Sequence, residues 1–269
     1  MADFKGKYAV VTGGSQGLGA AVARVLAERG AAGIVTCGRN TEKGERVARE
    51  IAEATGCEMR FTQADLSDVE ACRKVIATAD AAFGAVDILV NAAALTDRGN
   101  ILDTSPELFD AMIAVNMRAP FFLMQEAAKI MRRQGTGGAI VNIASMSSLA
   151  GQPFIAAYCA SKGGLATLTK NTAYGLMRDR IRVNGLNIGW MASDGEDRIQ
   201  KEYHGAAENW LEEAAARQPF GRLIAPEEVA RAVAFLAGPD SGLMTGSMVN
   251  FDQSIWGAYD DPPTPDAAL

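Results

Sequence analysis

Histidine is nearly missing from this chain. Its 269 residues hold one, His204, which excludes chemistry that needs a pair, such as an H-E-x-x-H zinc hydrolase. Cysteine is scarce as well. Cys37, Cys57, Cys72 and Cys159 show neither C-x-x-C nor a metal-ligand spacing. No disulfide framework and no metal site is expected, and the chain reads as a reduced cytoplasmic protein. No stretch approaches the roughly 18 uninterrupted apolar residues of a membrane span. The N-terminal apolar run, Tyr8-Ala-Val-Val11, is too short for a signal peptide and leads straight into glycines. There is no excess of positive charge: 26 Lys and Arg stand against 32 Asp and Glu, a net −6. That argues against nucleic acid or an anionic membrane as partner.

Apolar residues are plentiful at 48%, with 22% charged, so a large core is available and global disorder is excluded. Strand-like and helix-like segments alternate. Strands are expected at 7–12, 32–37, 59–63, 86–90, 138–144, 181–186 and 244–251. Helices are expected at 18–29, 42–54, 69–83, 106–133, 154–178 and 226–237. Seven strands separated by helices predict an α/β fold: one domain over 1–259 with a doubly wound parallel sheet and helices on both faces. Residues 190–220 break the rhythm and are rich in polar and aromatic side chains, as a lid over a binding site would be. Residues 260–269 form a tail rich in Pro and Asp, without the apolar content to pack.

Thr12-Gly-Gly-Ser-Gln-Gly-Leu-Gly19 joins the first strand to the first helix. Glycines permit a tight turn and close backbone approach to a pyrophosphate, and a helix N-terminus offers free N–H groups. Gly13, Ser15, Gln16, Gly17, Leu18 and Gly19 are therefore candidate cofactor contacts, or a glycine turn that holds nothing. After the second strand, Arg39 and Asn40 stand where a carboxylate would favour NAD. Arg39 either pairs with a 2′-phosphate, favouring NADP(H) without excluding NAD(H), or caps a solvent edge. Asp65, with Leu66 beside it, either accepts from an adenine amino group or N-caps the helix starting near Val69. Asn91 and Ala93, after the fourth strand, leave room for adenosine or serve packing.

Tyr158 and Lys162 lie four apart on a predicted helix and share a face. A phenol is a poor base at neutral pH, and a nearby ammonium favours its ionised form. Ser145 ends a strand thirteen residues earlier, where open α/β sheets place their active sites. Together, the T-G-x-x-x-G-x-G loop, Asn91-Ala-Ala-Ala94, Asn116, Ser145 and Tyr158-Cys-Ala-Ser-Lys162 resemble the short-chain dehydrogenases/reductases over about residues 5–255. The resemblance implies a Rossmann-type domain and hydride transfer between a nicotinamide and a carbinol or carbonyl carbon. It implies Tyr158 as general acid/base and Lys162 as the group that lowers the Tyr158 pKa and holds the nicotinamide ribose. Ser145 would orient the reacting oxygen, and Asn116 would maintain a water leading to solvent. Ile188 and Ser193 would meet the cofactor, and Ser147 and Gln152 the substrate; Trp190, after Gly189, either walls the substrate pocket or packs in the core. It also implies a homo-oligomer, a tetramer or dimer built on the two long helices.

The sequence departs from the family pattern. Ala92 and Ala94 replace an asparagine and a glycine, Gly189-Trp-Met replaces a proline-containing turn, and Gln16 stands where NADP-using members often carry a basic residue. The polar lid, with Glu196, Arg198, Tyr203 and His204, either simply faces water or suits a sugar or polyol better than a steroid or acyl chain. A 3-ketoacyl-carrier reductase and a nucleotide sensor without turnover are the competing readings. Met112, Met117, Met124 and Met131 are expected to fill core or interface, and Cys159 to pack. Trp256 and Tyr259 are expected against a neighbouring subunit.

Overall fold

The computed structural model describes residues 3–258; Tyr259 and the tail fall outside them. The strands are β1 (Tyr8–Thr12), β2 (Gly33–Gly38), β3 (Glu58–Gln63), β4 (Ile88–Asn91), β5 (Gly138–Ser145), β6 (Ile181–Ile188) and β7 (Met248–Phe251). All pair in parallel, in the order β3-β2-β1-β4-β5-β6-β7. The order reverses between β1 and β4, and in such sheets the crevice outside the strand ends at that point takes the ligand.

Alternation along the central strands builds two cores. Ala9, Val11, Val90, Val141 and Ile143 face one side, under α1 (Gly17–Glu28), α2 (Thr41–Thr55) and α9 (Pro226–Ala237). Val10, Leu89 and Ile140 face the other, under α3 (Val69–Phe83), α5 (Ala119–Gln134) and α6 (Ala156–Leu176). Burial on both faces explains why the strands read as continuous apolar runs. The helices over 69–83 and 226–237 match expectation residue for residue.

The long helix expected over 106–133 is instead interrupted. It runs as α4 (Pro106–Ile113), a π-helical turn at Ala114–Arg118, and α5. Pro120 supplies the reason: it has no N–H for the Asn116 carbonyl four residues back, and its ring crowds that carbonyl. Ala119 N bonds to Ala114 O instead, widening the turn. Met112, Met124 and Met131 fill the interior, and Met117 is half-buried.

The insertion at 190–220 holds two helices, α7 (Asp194–His204) and α8 (Trp210–Ala216). Its ends meet: Ile224 N donates to Trp190 O and Ala192 N to Ile224 O. Trp210, Ala214 and Leu223 give it a small core of its own. The last strand begins at Met248 rather than Met244, because residues 241–246 turn through Gly242 and Gly246, both at positive φ. Among the described residues no helix is long and apolar enough to cross a membrane.

Candidate active site

One cleft of about 1540 Å³ opens at the C-terminal ends of β1, β4, β5 and β6. Its floor is the glycine loop. Gly13 has φ +72° and lies so close to Ala93 that a Cβ would sit 3.0 Å from the Ala93 Cα. At Gly19 a Cβ would come within 2.4 Å of Gly13 O. The backbone is thus drawn tight against itself, leaving the N-terminus of α1 uncovered toward the cleft, a cradle that fits a pyrophosphate. Thr12 ties this loop to the one after β4: its Oγ1 accepts from Ala92 N and Ala93 N, both at 3.0 Å.

Beyond the end of β2, Arg39 is exposed and lines the cleft. Its guanidinium makes no hydrogen bond or ion pair among the described residues. Asn40 caps α2, accepting from Lys43 N at 2.9 Å. Lys43 then turns back over the loop, and its Nζ donates to Gln16 Oε1 at 2.6 Å. The sequence reading left Gln16 without a cation beside it; the first turn of α2 supplies one. Asp65 does not cap α3. Asp68 does, accepting from Glu70 N at 3.0 Å, while Asp65 accepts from the N and Oγ of Ser67. Those bonds, aided by the Arg39 charge, hold its carboxyl below the usual range.

Ser145, Tyr158 and Ser147 line the middle of the cleft. Lys162 lies behind it, 2% exposed, with Nζ donating to Ile143 O at 2.7 Å and 5.6 Å from the Tyr158 ring centre. Burial pushes the phenol up to about 12, with the Ser145 hydroxyl opposing. Burial pushes the Lys162 ammonium down to about 8. The lowered phenol pKa expected from Lys162 is therefore not what this chain holds by itself, because desolvation outweighs every neighbouring group. Asn116 is fully buried beside them. It donates to Ser161 Oγ at 3.1 Å, and that hydroxyl donates to Tyr158 O at 2.7 Å.

Residues 190–204 border the outer end of the cleft. Trp190 lines the cleft, donates to Glu196 Oε1 at 2.8 Å and stacks on Trp210 at 6.2 Å. Ser193 lines it while capping α7, accepting from Glu196 N. Arg98, on the loop after β4, crosses to α7, its Nε donating to His204 Nε2 at 3.1 Å. Ile188, Gln152 and Leu66 complete the walls.

A family model described as enoyl-(acyl carrier protein) reductase matches residues 13–253. A probable galactose dehydrogenase of Rhizobium meliloti (strain 1021) is 34% identical over 259 residues, 94% of this chain and 96% of that protein. A 3-oxoacyl-[acyl-carrier-protein] reductase of Rickettsia conorii is 34% identical over 250 residues, 93% of this chain and 97% of that protein. The crystal structure of L-sorbose reductase from Gluconobacter frateurii, complexed with NADPH and L-sorbose, superposes with a TM-score of 0.88 at 28% identity, covering 96% of this chain and all of that one. The chain is a short-chain dehydrogenase/reductase. As a member of that family it is an NAD(P)-dependent oxidoreductase acting between CH–OH and carbonyl groups.

Most of the residues singled out in the sequence of this dehydrogenase/reductase share the one cleft. Asn40, Asn91, Asn116 and Lys162 do not line it. Asn91 joins β4 to β5 through Asn142, at 2.8 Å, and its Oδ1 is the one buried side-chain polar atom without a partner among the described residues. Cys159 is half-buried, with Sγ packed where Gly151 leaves room. Trp256 lines its own chain's cleft. Lys43 and Arg98 escaped sequence reading. Each reaches the site across a gap in sequence, 27 residues to Gln16 and 106 to His204, and no local pattern marks such pairs.

Proposed function

We propose that this enzyme transfers hydride between NADP(H) and a secondary alcohol or ketone of a polar, hydroxylated substrate, a sugar or polyol. The observation that carries it is the meeting of Ser145, Tyr158 and the glycine loop in one cleft, with Lys162 directly behind. The bound nicotinamide supplies the hydride or accepts it. Gly13, Ser15, Gln16, Gly17, Leu18 and Gly19 hold the pyrophosphate, Asp65, Leu66 and Ala93 border the adenosine, and Ile188 and Ser193 border the other end. Arg39 holds the 2′-phosphate, with Lys43 on Gln16 as a second cation at the loop; a fork of donors without a hydrogen bond or ion pair among the described residues supports NADP(H) over NAD(H).

Tyr158 moves the proton. With its phenol near 12 in the chain alone, it is protonated at neutral pH, the form that donates to a developing alkoxide. Ser145 holds the reacting oxygen. Asn116 commits its side chain to Leu95 and Ser161, so its carbonyl, denied a donor by Pro120, is the group for the water relay. Ser147, Gln152 and Trp190 border the substrate. The enzyme works as a homo-oligomer in the cytoplasm.

The description of the matching family model and the Rickettsia relative favour a second reading, reduction of a 3-oxoacyl thioester. The net charge of −6 weighs against docking an acidic carrier. One panel tests both: NADPH oxidation with ketoses, simple ketones and a 3-oxoacyl thioester, repeated with NADH and with Tyr158→Phe. Tyrosine-dependent turnover confined to the thioester would reject the sugar reading. NADP(H) binding without turnover on any substrate would leave a sensor.

A further inference from the structure

A charge pair stands at the outer end of the cleft, outside the acid–base set. Arg98 donates through Nε to His204 Nε2 at 3.1 Å and through Nη1 to Thr96 O at 2.7 Å. The Phe154 ring lies 5.5 Å from its guanidinium carbon. Its Nη2 reaches Glu196 Oε1 only at 3.9 Å, beyond hydrogen-bond range. Glu196 is equally lopsided. Its Oε1 accepts from Trp190 Nε1 at 2.8 Å and from Gln200 Nε2 at 2.7 Å, while Oε2 accepts nothing among the described residues. The two side chains are 17% and 19% exposed, and both residues line the cleft with Tyr158. A fixed donor and a fixed acceptor therefore stand side by side, each with capacity unused.

We propose that Arg98 and Glu196 form a hydroxyl receptor, and that the substrate carries neighbouring hydroxyls beyond the reacting carbon to fill it. One hydroxyl accepts from Arg98 Nη2 and another donates to Glu196 Oε2. A neutral diol satisfies both groups. A carboxylate gains Arg98 but meets the Glu196 charge. An alkyl chain strips water from both and pairs neither, and a site built to bond hydroxyls rejects such analogues strongly. Fastening the lid does not account for the arrangement. Arg98 fastens α7 through Nε on His204, and the Tyr203 hydroxyl on Asp97 Oδ1, at 3.2 Å, holds the same helix; neither uses Arg98 Nη2 or Glu196 Oε2, and a clasp would bring Nη2 onto Oε1. The inference rests on the sugar or polyol reading and narrows it.

The test uses full-length enzyme with NADPH and compares kcat/KM for L-sorbose with that for cyclohexanone. Arg98→Met and Glu196→Gln are each expected to cut this ratio by roughly 10- to 100-fold, mainly through KM for the ketose. Arg98→Lys, which keeps charge but loses the fork, should fall between. Thermal melting and NADPH titration confirm that each variant is folded. If both substrates lose in proportion, the pair only fastens the lid and the proposal is overturned. If wild-type enzyme prefers the ketose and the variants keep that preference, the receptor is wrong while the sugar reading stands. If wild-type enzyme turns over cyclohexanone or a 3-oxoacyl thioester but no ketose, the sugar reading fails and takes the receptor with it.

Discussion

The Asn116 carboxamide grips Leu95 by both of its backbone groups, accepting from Leu95 N at 2.8 Å and donating to Leu95 O at 2.9 Å. A side chain set in the π-helical turn thus does for the loop after β4 what a neighbouring strand would do. The same nitrogen reaches Ser161 on α6, so the loop carrying Arg98 and the helix carrying Tyr158 share one buried anchor. Asn116→Ala leaves the Leu95 N–H and C=O without this partner. A loss of about 2–4 kcal/mol in unfolding free energy is expected, since each orphaned group costs about 1–3 kcal/mol if water cannot reach it. Urea denaturation measures it, and a loss below about 0.5 kcal/mol would show that the anchor is dispensable.

Tyr158→Phe removes only the hydroxyl. A fall in kcat of at least about 100-fold is expected, the usual lower range for a positioned acid. The NADPH dissociation constant, read by fluorescence, should move less than about threefold. Retained turnover would assign the proton to another group.

Lys162 links the site to stability. Its pKa is near 8 when folded against an unperturbed 10.5, so between these values the unfolded chain binds more protons than the native one. Stability from this group therefore rises with pH over that window and is lower by on the order of 3 kcal/mol below it. Lys162→Met has no group that titrates there. The variant's stability relative to wild type should fall as pH climbs from 8 to 10. A pH-independent difference between the two would contradict the buried ammonium.

Arg39→Ala should weaken NADPH binding by roughly 10- to 100-fold and NADH binding by far less. Lys43→Ala should act in the same direction with a smaller effect, since its Nζ is already bonded to Gln16. Isothermal titration with both nucleotides decides the matter. Equal losses for the two would place these cations away from the 2′-phosphate.

Gly19→Ala puts a methyl 2.4 Å from Gly13 O and 2.8 Å from Thr12 O. Both obstacles are backbone, so the loop itself has to shift. Dinucleotide binding should drop at least about 10-fold while the sheet stays intact by circular dichroism.

The parts of this molecule legible in its sequence are those governed by local rules. The α3 boundaries follow from apolar spacing and the Gly84 stop, and β5 ends at Ser145 as its pattern says. Spacing also brought Tyr158 and Lys162 to one helix. The π-helical turn was hidden because the pattern over 106–133 stays helical through it; only Pro120, read against Asn116, betrays it. Asp68 rather than Asp65 caps α3 because it stands directly before Val69, while Asp65 lies three residues further out and accepts from Ser67. The Gln16–Lys43 and Arg98–His204 contacts depend on how loops from separate strands lie over the sheet, which no window of sequence contains.

A chain with a single imidazole carries its own reporter. His204 accepts from Arg98 and meets the Phe154 ring edge-on at 5.4 Å, so its proton magnetic resonance is shifted by an aromatic neighbour and needs no assignment. Any ligand that draws Arg98 away, or swings α7 off the cleft, changes that one signal. Events at this end of the cleft can be followed in solution without a label.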